Sequence, residues 1–131
     1  MMSHPLGAAA MAFVREHIAS LDELELLMRL IESPERWWDA TSVARALGVP
    51  EHRARAMLDG FAARNLLDIR ITEDLRYQFR PGTAELNDAA TAVAIAYHRN
   101  PTPVIQVVAR SAPRSVRDFA DAFRIRRRER S

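Results

Sequence analysis

The side chains best suited to chemistry in this chain are arginines, and seven of them fall between Thr41 and Arg80. A guanidinium group is planar, always charged and rich in donors, so it suits phosphate oxygens and guanine edges. The same stretch holds five acidic residues, which leaves a net charge of only +2. All 19 basic residues of the chain are arginine, a choice that GC-rich coding also produces. The residue type alone therefore does not establish contact with nucleic acid.

The sequence lacks the patterns of catalysis and metal binding. The histidines are scattered without H-E-x-x-H spacing, and there are no cysteines to form thiolate sites; they are His4, His17, His52 and His98. No G-x-S-x-G, P-loop or G-x-G-x-x-G motif occurs either. We therefore expect neither an enzyme nor a bound metal or cofactor.

Size and composition indicate one soluble domain. The 131 residues suit a single core, and 48% hydrophobic with 27% charged residues is ordinary for a globular protein. The sequence contains no run of about 18 apolar residues, so no membrane span is expected. The N-terminus has a small apolar patch without a basic leading segment, so no signal peptide is expected. The absence of cysteine fits a cytoplasmic protein.

The basic charge is concentrated at the C-terminus. Arg124 to Arg130 contains five arginines and one glutamate, a charge of +4, whereas the whole chain carries +2. The remainder is therefore slightly acidic, at −2. This tail either tracks phosphates or acidic protein, or is a solvated helix end that complements the helix dipole.

The N-terminal half is predicted to be helical. Apolar spacing indicates a helix from Ala9 to Ala19, and Ser20 with Glu23 forms a capping box for a helix from Leu21 to Glu32. Ser33 precedes a proline, which ends that helix. Two more helices follow: a short one with Thr41 as N-cap, Ser42 to Leu47, and one from Glu51 to Arg64. Gly48 and Asn65 are expected in the left-handed conformation that closes each of these two.

A hairpin and further helices complete the chain. Leu67, Ile69 and Ile71 alternate with polar residues, as do Leu75, Tyr77 and Phe79, so both strands should have one buried face. Thr72 to Asp74 forms the tip. Thr83 caps a helix to Arg99, and an amphipathic segment runs from Ser115 to Arg126. Val104 to Arg110 favours a helix, although its β-branched residues leave a strand open.

The order of these elements resembles the winged helix-turn-helix superfamily of transcriptional regulators, nearest in style to MarR- or ArsR-like proteins. The resemblance rests on Thr41-Ser42-Val43-Ala44-Arg45-Ala46-Leu47-Gly48-Val49, on Pro50 to Leu58, and on Phe61-Ala62-Ala63-Arg64-Asn65-Leu66-Leu67. The flanking segments are also similar to those of a group of small bacterial proteins. It implies a mainly α fold with a small β-hairpin, a winged helix-turn-helix plus C-terminal helices. The divisions are an N-terminal arm at 1–19, the winged domain at 20–81 and a helical extension with a basic tail at 82–131.

The resemblance implies a DNA-binding regulator whose helix from Glu51 to Arg64 reads the major groove. Its outward N-terminal positions include His52, Arg53 and Arg55, and either arginine could bond guanine O6 and N7. Ser42 and Arg45 on the preceding helix and Arg76 on the hairpin are phosphate candidates. In such proteins the segment around Trp37 and Trp38 is usually a short strand pairing with the hairpin, which would bury one tryptophan.

Two further alternatives stay open at this point. The hairpin tip carries Glu73 and Asp74 where many such proteins have basic residues, so the competing hypothesis is a protein-interaction module that binds a transcription or signalling partner. The C-terminal helices either form a homodimer interface, presenting two recognition helices to a pseudo-palindrome, or cover the back of the winged domain.

Overall fold

The computed structural model describes residues 6–110, and within them the chain is mainly helical with one antiparallel hairpin. The elements are α1 (Ala8–His17), α2 (Leu21–Glu32), α3 (Ala40–Leu47), α4 (Glu51–Ala63), β1 (Leu67–Ile71), β2 (Leu75–Phe79) and α5 (Ala84–Arg99). Residues 101–110 are also helical and are called α6. The mainly helical fold and the hairpin are thus confirmed. The segment from Ser115 to Arg126 and the tail from Arg124 lie outside the described residues.

Helices α2 and α5 begin where their predicted N-cap residues, Ser20 and Thr83, place them. Ser20 Oγ accepts the backbone N–H of Glu23 at 3.1 Å, while Glu23 Oε1 reaches back to accept the N–H of Ala19 at 3.2 Å. Thr83 Oγ1 caps α5 by accepting the N–H of Leu86 at 3.1 Å. Both caps satisfy N–H groups that have no partner inside the helix.

The predicted N-cap of α3 is wrong. Thr41 lies inside the helix, and Asp39 is the cap: its Oδ1 accepts the N–H of Ser42 at 2.7 Å, and Ser42 Oγ accepts the N–H of Asp39 at 3.2 Å. This reciprocal pair is a capping box, so α3 starts two residues earlier than predicted. The Ser42 N–H, then the Ser42 hydroxyl, hold the pKa of Asp39 below its ordinary value.

Replacement of Asp39 by Ala should lower the free energy of unfolding by about 1 kcal/mol at neutral pH, the usual loss for an N-cap. Because the pKa of Asp39 is lower in the folded state, its stabilisation is complete above the unfolded value of about 4 and disappears as pH falls through the folded value. Urea denaturation of both proteins at several pH values would measure this. Thr41→Ala is the control, and an equal loss there would contradict the assignment of the cap.

The connection between α3 and α4 depends on Gly48. This residue has φ 68°, and its N–H donates to the backbone oxygen of Ala44 at an N···O distance of 2.9 Å. It therefore closes α3 in the left-handed conformation, as expected. Val49 and Pro50 follow, and α4 begins at Glu51. Asn65 has the same conformation, φ 68°, after α4. Both predicted left-handed residues are confirmed, and α4 ends one residue before the predicted Arg64.

Two glycine substitutions in this region should have opposite effects. Gly48→Ala should destabilise the protein by roughly 1 kcal/mol, because an L side chain is strained at that φ. Gly60 lies inside α4, where a Cβ would meet nothing within 4 Å, so Gly60→Ala should stabilise by about 0.5–1 kcal/mol. Urea denaturation followed by circular dichroism measures both changes. A stabilising effect of Gly48→Ala would contradict the left-handed turn at Gly48, and a destabilising effect of Gly60→Ala would contradict the open space at Gly60.

The small sheet is made by the hairpin and one bridging residue. In β1 and β2, Leu67 pairs with Phe79 and Ile71 with Leu75. Trp38 adds an antiparallel bridge to Tyr77, in which each backbone N–H donates to the other residue's oxygen at an N···O distance of 2.7 Å. The expected pairing of this segment with the hairpin is confirmed as a single bridge. Trp38 is buried and Trp37 is partly exposed, as expected for one core tryptophan.

The prediction of one buried face along both strands is wrong for the outer half of β1. Leu67 is buried, but Ile69 is 44% exposed and Ile71 is 78% exposed. The alternation is present, since all three residues lie on the same face. The tip of the hairpin extends beyond the helices that would cover it, so an apolar face remains in solvent there.

The C-terminal helices share the core of the rest of the chain. Helix α5 packs against α1 and α2, and it buries Ala90 and Val93. Helix α6 adds Val104, Val107 and Val108, which confirms a helix over the predicted segment. This packing shows that α5 covers one side of α1 and α2. Among helices of residues 6–110, none has the length and hydrophobicity needed to cross a bilayer.

Candidate nucleic-acid interface

The buried residues of α4 show which side of the helix faces solvent, and we call that exposed side its front. Ala54, Leu58 and Phe61 are fully buried on one side of the helix. Because successive residues turn by about 100°, His52, Ala56 and Asp59 project from the opposite side, and all are exposed. Arg53 and Arg55 flank this front on either side. The helix therefore presents an open polar face from its first turn onward.

One flank of α4 is tied to the N-terminus of α2. Arg53 Nη2 lies 2.8 Å from Asp22 Oδ2, and Arg64 Nη1 lies 3.6 Å from Glu23 Oε1. Arg64 also donates to the backbone oxygen of His17 at 2.8 Å. The two arginines are eleven residues apart, about three helical turns, so they share one side of α4. The Arg53 guanidinium therefore already has a partner within the protein, and it links α4 to the start of α2.

The other candidate arginines are not tied in this way. Arg45 and Arg55 are exposed, and so is His52. Within residues 6–110, none of these three side chains makes an ion pair or a hydrogen bond. Arg55 lies on the flank of α4 that faces the hairpin, where its charge acts on Tyr77. Arg45, His52 and Arg55 are the candidates whose polar groups are available to a ligand.

Ser42 and Arg76 have partners of their own. The Ser42 hydroxyl accepts from the Asp39 N–H and donates to Asp39 O at 3.0 Å, so it serves the capping box. Arg76 Nε lies 3.4 Å from Asp74 Oδ1 at the hairpin tip. That pair is half-exposed, and such surface pairs are weak. Arg76 is partly neutralised by the acidic tip, which also includes exposed Glu73.

The hairpin contacts α4 through Tyr77 and Asp59, a pair that sequence reasoning missed. Tyr77 is 1% exposed, and its hydroxyl donates to Asp59 Oδ1 on α4. Burial, and then the hydrogen bond and negative charge of Asp59, raise the pKa of Tyr77 to about 12. The phenol therefore stays protonated and acts as a donor at any physiological pH. The only sequence signal was a strand tyrosine on the buried face.

Two arginine–tryptophan contacts lie at the sheet, one on each face. The guanidinium carbon of Arg70 lies 4.3 Å from the ring centroid of Trp37, and that of Arg36 lies 3.6 Å from the ring centroid of Trp38. Cation–π contacts of this kind orient the arginines and cover the indole faces. On the face of Arg70 and Trp37, the half-buried Asp68 lies 3.9 Å from Arg80. Positive charge on this side is therefore also partly paired.

The pocket and the distribution of possible metal ligands indicate no better candidate site within residues 6–110. A groove of about 370 Å³ lies between α5, the start of α6 and Leu6, and it shares no residue with α4. It is lined mainly by apolar side chains, with Ile95 and Pro103 among them. In the part of the chain that the structure describes, no cluster of three histidine or acidic side chains is placed to hold a metal. The exposed front of α4 therefore remains the best candidate site.

The comparisons with known proteins add no relative. No protein-family model, curated protein or solved structure matches this chain.

Proposed function

We propose that the protein is a winged helix-turn-helix DNA-binding regulator that places α4 in the major groove. The observation that carries this proposal is the joined unit of α3, the left-handed turn at Gly48, α4 and the hairpin, closed by the Trp38 bridge. In this unit, α4 is exposed on one side and is supported by α3 and the hairpin on the other. That is the arrangement by which winged helix proteins read base edges.

The available side chains would make different kinds of contact with the duplex. Arg55 is the best placed to donate two hydrogen bonds to a guanine, because its guanidinium is exposed and unpaired in the described part of the chain. Arg45 and His52 are suited to phosphate contacts beside it. Arg53 has a different role, since its guanidinium is bound to Asp22 at the start of α2.

The acidic tip limits the contact area. Glu73 and Asp74 would repel phosphates, so the proposed interface consists of α4 and α3 and leaves the hairpin tip outside it. A homodimer would compensate for a small interface by presenting two copies of α4. An association through the C-terminal helices would cover Ile95, which is 51% exposed on α5. Light scattering with and without a duplex would measure the stoichiometry.

Selection of bound duplexes from a random DNA library tests the proposal. We expect a short consensus containing guanine, with affinity that falls as salt rises because bound phosphates release counterions. The protein should also bind the selected duplex far better than a scrambled one of equal length. Recovery of no consensus, together with equal affinity for both duplexes, would reject the proposal.

A protein-interaction function is the second candidate, and one observation favours it. Ile69 and Ile71 leave an apolar strip in solvent next to an acidic tip, a combination that suits a partner with apolar and basic side chains. The double change Ile69→Ser and Ile71→Ser would then abolish partner binding, whereas Arg55→Ala would not. Under the DNA-binding proposal the two sets of variants behave in the opposite way toward the selected duplex.

A further inference from the structure

Arg55 and Asp59 occupy positions four residues apart on α4, where opposite charges normally attract each other. Within the described chain, however, no ion pair joins them. The Asp59 carboxylate instead accepts the hydroxyl of Tyr77 on β2. The aspartate is therefore directed toward the hairpin and leaves the arginine beside it unpaired.

We propose that Tyr77 is a positioning residue whose hydroxyl holds Asp59 away from Arg55, so that the guanidinium stays available to a guanine edge or phosphate. The inference rests on the DNA-binding function proposed above and names one determinant of its specificity. An arginine already paired with a carboxylate would have to give up that bond before accepting a nucleic-acid partner.

The surroundings of Tyr77 suit this role because the residue cannot easily move. Its backbone N–H and C=O both bond Trp38 at 2.7 Å, and its side chain is buried. Its strand partner is Ile69. The phenol is thus fixed by the sheet, and Asp59 comes to it from an exposed position on α4. The Tyr77 hydroxyl carries its proton at neutral pH and can therefore donate to Asp59.

A set of three backgrounds tests the proposal with the selected duplex. Tyr77→Phe removes only the hydroxyl, and we expect it to weaken binding by about 1.5- to 2.5-fold because Asp59 then forms an i,i+4 pair with Arg55. The same change should have no effect in an Arg55→Ala background. In an Asp59→Asn background it should also have no effect, because the neutral amide cannot form an ion pair with Arg55.

A purely structural role of Tyr77 gives a different result. If the hydroxyl only stabilised the hairpin, Tyr77→Phe would still weaken binding in the Arg55→Ala background, where no Arg55 guanidinium is left for Asp59 to pair with. That outcome would overturn the proposal, and so would an unchanged affinity in the parent protein. Thermal unfolding followed by circular dichroism identifies any variant that fails to fold.

A measurement without DNA separates the inference from the proposed function. Nuclear magnetic resonance of the Arg55 Nε–H should show slower exchange with water in Tyr77→Phe, because the new ion pair protects it. In Tyr77→Phe with Asp59→Asn, exchange should return to the parent rate. If this pattern is found but no duplex binds, the DNA function fails and the positioning role stands. An unchanged exchange rate in Tyr77→Phe refutes the positioning role, whatever the DNA result.

Discussion

Replacement of Trp38 by Ala is expected to lower the free energy of unfolding by about 3–5 kcal/mol, the usual loss for a large buried aromatic side chain. Trp38 is 5% exposed and belongs to the core. Its side chain occupies the junction between the hairpin and α3, just before the Asp39 cap. The truncation would leave a cavity there while keeping the backbone bridge to Tyr77.

The adjacent tryptophan provides a matched control. Trp37 is partly exposed and lies against Arg70 on the other face of the sheet. Trp37→Ala should therefore lower the free energy of unfolding by only about 1 kcal/mol, the value of an exposed cation–π contact with its covered surface. Urea denaturation monitored by circular dichroism at 222 nm suits both variants, since each removes a fluorophore. Equal losses for the two would contradict the buried position of Trp38.

The parts of the fold that the sequence predicted are those decided within a few residues. Ser20, Gly48 and Asn65 each act on the backbone beside them, so their residue types reveal caps and turns directly. The start of α3 was mispredicted because Asp39 and Thr41 are both good caps. The choice between them depends on Trp38, which is held extended by Tyr77 across the sheet. The helix can begin right after this bridge.

Exposure of the hairpin was mispredicted for a related reason. Period-2 alternation tells which side chains share a face, but the distance to which a strand extends past its supporting helices depends on the whole fold. Ile71 keeps the right face and has nothing covering it at 78% exposure. In the same way, no local pattern shows that Arg53 meets Asp22 or that Tyr77 meets Asp59. These contacts depend on how the elements pack, and they distinguish available candidates from engaged ones.

Replacement of Arg55 by Ala is expected to weaken binding to the selected duplex by roughly 5- to 150-fold, since one bidentate arginine–guanine contact contributes about 1–3 kcal/mol. The base preference at one position of the consensus should relax at the same time. Arg45→Ala should weaken selected and scrambled duplexes alike and reduce the salt slope by about 1, as a phosphate contact does. Competition titrations at several salt concentrations measure both effects.

Arg53→Ala tests the division of roles on α4, because the two arginines lie two residues apart in the same helix. Arg53 is bound to Asp22 at 2.8 Å, and a half-exposed pair of this kind contributes only about 0.2–1 kcal/mol to stability. Its loss should let α4 shift slightly and weaken binding without changing which base is preferred. Asp22→Asn should have the same effect, since it breaks the same contact from the other side. If Arg53→Ala relaxes the base preference while Arg55→Ala leaves it intact, Arg53 is the residue that reads the base, and its pairing with Asp22 is given up on binding.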